Sequence, residues 1–184
     1  MEHPAEVLRS DQVELRRWRG QDLEILDQLI TESRDHLLPW MHFAARHDRE
    51  QGAAFLARCE EEWASGQAYH YAITTEGVAV GSISLMRRIG PGGLEIGYWL
   101  HHAWTGKGLI TMAAAGLVQA GHRMDGIDRI EIHHDAANLA SGAVARRLGF
   151  TEVERVQTPE GPAAPSGTGI DVIWRLETRP AQSA

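Results

Sequence analysis

Two hydrophobic rhythms alternate along the chain, and each change of rhythm marks an element. In "VELRRW" Val13, Leu15 and Arg17 share one face while Glu14, Arg16 and Trp18 share the other, the period of a strand. Leu23, Leu26, Leu29 and Ile30 in "QDLEILDQLITESR" shift to helical spacing, and Pro39 in "HLLPWMHF" (36–43) breaks that run. "HDREQGAAFLARCEEEWASG" predicts a second helix, with Asp48 and Gln51 as a capping pair and Gly66 at its end. Leu56, Cys59 and Trp63 form its apolar stripe. Strands follow at 68–74, 78–88 and 93–101. Glu76-Gly77 turns between the first two, and Gly90-Pro91-Gly92-Gly93 separates the last two. The next helix, 108–123, carries Leu109, Met112, Ala113, Leu117 and Ala120 on one side. "RIEIHH" (129–134) reads as a strand, "NLASGAVARRL" (138–148) as a helix, and "FTEVERV" and "IDVIWRL" as closing strands.

The order β–α–α–β–β–β–α–β–α–β–β describes an α+β chain. It predicts a mixed, mostly antiparallel twisted sheet of about seven strands flanked by about four helices. The one crossover helix implies that "EIGYWL" and "RIEIHH" run parallel. No repeat of solenoid period is present, and residues 1–184 suit a single domain. Residues 1–10 and 178–184 are expected to be flexible ends, and the Gly- and Pro-rich 157–169 a mobile loop.

Composition narrows the partners. A hydrophobic share of 43% and a charged share of 23% fit an ordinary globular chain. No apolar run approaches the roughly 18 residues of a membrane helix. "MEHPAEVLRSDQ" has no apolar core behind a basic flank, so it is not read as a secretory signal, and no membrane partner is expected. A net charge of −7 argues against a direct nucleic-acid partner. The lone cysteine, Cys59, rules out an internal disulfide and suits the cytoplasm.

Candidate chemistry begins at "EIGYWLHHAWTGKGLITMAAAGL", where a strand yields to a helix across Gly106 and Gly108. The first amides of a helix lack intrahelical partners, and glycines let backbone approach an anion closely. Thr105, Gly106, Lys107, Gly108, Leu109 and Ile110 are therefore a candidate phosphate cradle, although the same spacing also serves a simple tight turn. A nucleotide-hydrolase loop is excluded, because His101 stands where its first glycine belongs and Gly108 where its Ser or Thr belongs. A dinucleotide fold would need glycine at Thr111. The adjacent pairs His101-His102 and His133-His134, placed on strands, point to opposite faces, and no metal site is expected.

"GYWLHHAWTGKGLITMAAAGLV", with "RIEIHHDAANLASGAVARRLGF" downstream, resembles the GNAT superfamily of acyl-CoA-dependent N-acyltransferases. The likeness extends from "VELRRW" to "DVIWRL" and is closest to the Rim-type group (RimJ/RimL-like), which acetylates the N-terminal amines of ribosomal proteins. It implies that the cradle amides bind the pyrophosphate of coenzyme A and that the two parallel strands splay around its pantetheine arm. Trp99 and Leu100 then pair with that arm, and one of their amides polarises the thioester carbonyl. "LLPWMHF" corresponds to the acceptor-side segment, which makes Trp40, Met41 and Phe43 a candidate substrate wall. The superfamily often has Gln or Arg where this chain has Ala103, so one phosphate or capping contact is missing.

Acyl transfer needs a neutral amine, a polarised carbonyl and a protonated or stabilised thiolate. An N-terminal amine titrates near about 7.7–8.0, so a modest base suffices. Glu95 occupies the place where many family members have a carboxylate, and His133 is a second proton-carrier candidate. The tyrosine that many relatives use as acid is absent around Ala145, and the resemblance implies Ser141 in its stead. Asn138 is expected to cap its helix and contact the pantetheine arm. Cys59 lies away from both motifs, which favours direct attack in a ternary complex. The implied activity is acetyl transfer from acetyl-CoA to a primary amine, on a protein N-terminus or a small molecule. Succinyl or another acyl group, or a non-catalytic acyl-CoA sensor, are the alternatives, and a homodimer is compatible with the group.

Overall fold

The computed structural model describes residues 3–178. Its strands are β1 Val7–Ser10, β2 Val13–Arg17, β3 Ala68–Thr75, β4 Val78–Met86, β5 Gly93–Leu100, β6 Arg129–Asp135, β7 Thr151–Gln157 and β8 Ile170–Glu177. They form one sheet in the order β1-β2-β3-β4-β5-β6-β8-β7. Among the described residues only β5 and β6 pair in parallel, as the crossover demands. The helices are α1 Leu23–Glu32, α2 Arg34–Leu37, α3 Phe43–Arg46, α4 Arg49–Ser65, α5 Leu109–His122 and α6 Leu139–Arg147. The four longer ones are the four read from periodicity. The single turns α2 and α3 flank Pro39, which cannot continue a helix. Asp48 caps α4 by accepting from the Gln51 amide at 2.8 Å, and Gly66 ends it in the left-handed conformation.

Two expectations about the ends are corrected. Residues 7–10 are ordered as an eighth strand, paired with β2 from Val7↔Arg16 to Ser10↔Val13. Asp11, with φ of 50°, makes the tight turn between the two strands. Thr178 is buried, its amide donating to Asp128 O at 2.8 Å and its hydroxyl to Ile127 O at 2.6 Å. The rest of the predicted C-terminal tail, 179–184, lies outside the described residues.

Strand alternation divides the apolar residues between two cores. Leu15, Tyr71, Ile73, Leu94 and Ile96 bury against Leu109, Ala113 and Leu117 of α5. Trp18, Leu26, Ile30, Leu56, Cys59 and Ala72 form the second core, toward α1 and α4. A fully buried Leu or Ile contributes roughly 1.5–3 kcal/mol, so these stripes decide how the helices lie. The Trp18 indole N–H meets Ser82 Oγ at 3.0 Å, which satisfies the one polar atom that this ring carries inward.

Candidate active site

The parallel pairing of β5 and β6 is short. It covers Gly93↔Arg129, Leu94↔Ile130 and Glu95↔Glu131, while β5 runs on to Leu100 and β6 to Asp135. A fork therefore opens beyond Glu95. At its far end the chain leaves β5 through a 3-10 turn, His102–Trp104, and enters α5 across Gly106 and Gly108. Both glycines are left-handed, with φ of 75° and 76°, a conformation a side chain would strain. Among the described residues, the amides of Gly106, Lys107, Gly108, Leu109 and Ile110 donate to no acceptor, and α5 has no side-chain cap. Thr105 differs from the expected set, since its amide and hydroxyl both donate to His102 O, at 3.4 and 2.9 Å. Lys107 Nζ lies 4.4 Å from the centre of the Trp104 ring, at the rim of the turn.

Two clefts meet at the fork. One, of 740 Å³, begins at the turn beside Gly106 and Gly108 and follows α6. The other, of 840 Å³, opens over the polar face of β4, β5 and β6. Trp40, Met41, Tyr98, Trp99, Asn138 and Ser141 line both. Trp40 and Met41 of the wall expected from "LLPWMHF" thus reach the junction, and of the two clefts Phe43 lines only the larger, its ring centre 6.2 Å from that of Trp99. A long ligand in the first cleft and a second molecule in the other would touch here.

Backbone direction at the fork follows from one bond. His101 N–H donates to Val80 O at 2.8 Å, which turns the amides of residues 95, 97 and 99 toward β4 as well. The amides of Tyr98 and Leu100 are left facing the fork. Of the expected donor pair, the Trp99 amide is thus turned away from the fork, and the Leu100 amide faces it together with that of Tyr98.

Asn138 caps α6, its Oδ1 accepting from the Ser141 amide at 3.3 Å. Ser141 is half-buried at the junction, and its hydroxyl has no protein partner among the described residues. Tyr98 is the residue that the sequence reading missed. Ala145, where a phenol was sought, is fully buried and has no room for one. The Tyr98 hydroxyl comes from β5 instead and donates to Ser141 O, one helical turn before Ala145, at 3.5 Å. Burial pushes its phenol above the ordinary range, so it keeps its proton at neutral pH. Tyr98 shares a strand face with Ile96, a core residue, and nothing local in the sequence marks the point where the strands part.

Glu95 is buried at the mouth of the fork, but its two oxygens are taken. Arg88 Nε donates to Oε2 at 2.7 Å and Arg88 Nη2 to Oε1. Both lone-pair faces that an incoming amine would need are thus turned to the Arg88 guanidinium. The next residues in its row are Glu131 and Arg175. His133 Nε2 lies 2.7 Å from Glu131 Oε2, and its Nδ1 lies 3.9 Å from Glu95 Oε2. Its other carboxylate oxygen paired to Arg175 at 2.8 Å, Glu131 is held below the usual range despite its burial.

The remaining candidates sort clearly. The rings of His101 and His102 do not diverge as expected of strand neighbours, because the strand ends at Leu100. Their centres lie 4.3 Å apart. Among the described residues no group of three or more His, Cys, Asp or Glu is arranged for a metal. Cys59 is buried in the second core, and burial pushes its thiol up to about 12, far from a reactive thiolate. The 158–169 segment lacks regular structure, as expected, yet it is anchored. Asp135 accepts from the Thr168 and Gly169 amides at 2.7 and 3.0 Å, and Ser166 N–H donates to Pro39 O at 3.1 Å. Ala163, Ala164 and Gly167 of this segment wall the larger cleft.

Comparison with known proteins agrees with this geometry. Residues 12–151 match the family model described as an acetyltransferase (GNAT) domain. The chain is 26% identical over 147 residues to YdaF of Bacillus subtilis (strain 168), whose name proposes ribosomal N-acetyltransferase activity. The match covers 78% of this chain and 80% of that protein. Among solved structures, RimL, the ribosomal L7/L12 alpha-N-protein acetyltransferase in complex with coenzyme A, superposes with a TM-score of 0.85. It is 23% identical, over 94% of this chain and 98% of that one. The microcin C7 self-immunity acetyltransferase MccE, in complex with acetyl-CoA and AMP, gives 0.82 at 22% identity, over 91% and 93% of the two chains. At these identities the structures establish the fold: a mixed, mostly antiparallel sheet flanked by helices.

Proposed function

Since the chain belongs to the GNAT acetyltransferase family, we propose that it transfers an acetyl group from acetyl-CoA to a primary amine by direct attack in a ternary complex. The observation that carries this reading is the fork. Beyond Glu95 the two parallel strands part, and the gap joins a cleft ending at five unpaired amides to a second, polar cleft. Acetyl-CoA carries its thioester at one end of a long arm and a diphosphate at the other. The amides of Gly106 to Ile110 hold that diphosphate, helped by the positive end of α5. The Leu100 and Tyr98 amides pair with the arm and polarise the carbonyl, while Asn138 steadies the arm from α6. The Ser141 hydroxyl and the Tyr98 phenol lie where the thiolate departs and supply its proton.

Trp40, Met41, Phe43 and Trp99 support an acceptor that presents an extended apolar stem. The likeness to YdaF and RimL supports a protein N-terminus as that acceptor. Glu95, the carboxylate offered as base, instead fixes Arg88 at the mouth of the fork. The buried Cys59 and the absence, among the described residues, of a helix able to cross a membrane suit an enzyme of a reducing compartment, the cytoplasm. One observation favours a second reading, an acyl-CoA-binding module without turnover: Arg88 occupies both Glu95 oxygens. Thiol release decides between them. Purified protein with acetyl-CoA and a panel of peptides and small amines is expected to liberate free thiol and acetylated amine in equal amounts. Tight binding of acetyl-CoA without any thiol release would establish the module instead.

A further inference from the structure

A second row of polar side chains crosses the sheet beside the Glu95 row. His70 on β3 pairs with Ser84 on β4, and Ser84 pairs with Gly97 on β5. All three lie on the polar face, and the larger cleft touches each of them. His70 Nδ1 lies 2.7 Å from Ser84 Oγ, and His70 Nε2 lies 2.6 Å from Glu62 Oε2 on α4. Hydroxyl, imidazole and carboxylate thus form one hydrogen-bonded line that starts in the cleft and ends at α4. Gly97, beside Ser84, brings no side chain to the start of the line.

We propose that Ser84, His70 and Glu62 form the proton relay that deprotonates the acceptor amine, with Ser84 Oγ touching the amine and His70 Nδ1 receiving the proton. The inference rests on the acyltransfer reading given above. Hydrogen-bond direction follows from chemistry: a carboxylate only accepts, so His70 Nε2 carries the hydrogen and Nδ1 keeps its lone pair. Ser84 must then donate to Nδ1, which leaves its oxygen lone pairs facing the cleft. An ammonium N–H proton passes to Ser84 Oγ as the serine proton passes to Nδ1, and Glu62 stabilises the imidazolium. The freed nitrogen attacks the thioester carbon, the C–N bond forms, and the C–S bond breaks. The second nitrogen proton ends on the sulfur through Tyr98 or Ser141, and the first returns from His70 to solvent. The products are amide, free thiol and one proton.

Glu95, with both oxygens on Arg88, cannot match this arrangement. Glu62, Arg58 and Arg88 are the charged groups that act on His70, and Phe55 packs edge-on against its ring at 5.6 Å. Burial outweighs Glu62 and holds the imidazole below its ordinary value, so the ring is neutral and ready at pH 7.

Two measurements test the relay. Ser84→Ala is expected to lower kcat about a hundredfold with little change in KM for acetyl-CoA, and Ser84→Thr, which keeps the hydroxyl, to recover most of it. His70→Gln should remove the fall in rate on the acid side of neutrality, a change that a merely structural tie between α4 and the sheet would not cause. Independently of turnover, nitrogen-15 spectra of the His70 ring at pH 7 should show hydrogen on Nε2 and a bare Nδ1. An active wild type with unchanged Ser84→Ala kinetics, or hydrogen found on Nδ1, overturns the relay alone. A wild type that releases no thiol with any acceptor overturns the acyltransfer reading first.

Discussion

At the scale of single residues, the site depends on which polar atoms are already engaged. Glu95 was legible as a strand carboxylate ahead of the glycine turn, but its clamp was not, because Arg88 lies seven residues away across a turn and meets it only in the folded sheet. Tyr98 was hidden for the opposite reason. Its position in the alternation matches a core residue, and only the parting of β5 from β6 turns it into a fork residue. The account expects Tyr98→Phe and Ser141→Ala each to lower kcat tenfold or more, on the order of a lost acid contribution, with a smaller effect on acetyl-CoA affinity. The comparison of kcat with a directly measured dissociation constant checks this. A loss of affinity without a loss of kcat would reassign both residues to binding.

At the scale of elements, periodicity was a reliable guide wherever one face of a long segment is apolar. The stripes of α1, α4 and α5 were readable because each repeats over several turns, and the strands β3 to β6 because each is a long run bounded by turn residues or a helix. Short elements escaped. β1 has four residues and draws its order from pairing with β2, and α2 and α3 are single turns set by their surroundings. Local capping chemistry was readable at both Asp48 and Asn138, since a cap needs only its own first turn. Asp48→Ala is expected to destabilise the protein by about 1 kcal/mol, read as a lower denaturation midpoint. No change in midpoint would mean that packing of Leu56, Cys59 and Trp63 alone holds α4. The 157–169 segment was readable as irregular but not as anchored, because its anchor, Asp135, lies on a distant strand.

At the scale of the whole molecule, one departure from regular pairing makes the function. Two strands that pair over three residues and then part give the sheet a gap, and α5 aims its unpaired amides at one end of it. The other end opens on the polar face, where the Ser84 and Glu95 rows lie side by side. That gap was inferable from the order of elements and the family resemblance, whereas the join of the two clefts needed coordinates. The account predicts that the diphosphate is the handle by which the molecule holds its acyl donor. Calorimetric titration of the full chain with coenzyme A and with pantetheine, which keeps the thiol arm but has no diphosphate, tests this directly. Two charge-assisted hydrogen bonds at about 1.5 kcal/mol each make coenzyme A at least about a hundredfold tighter. Equal affinities for the two, or no heat with coenzyme A, would contradict it.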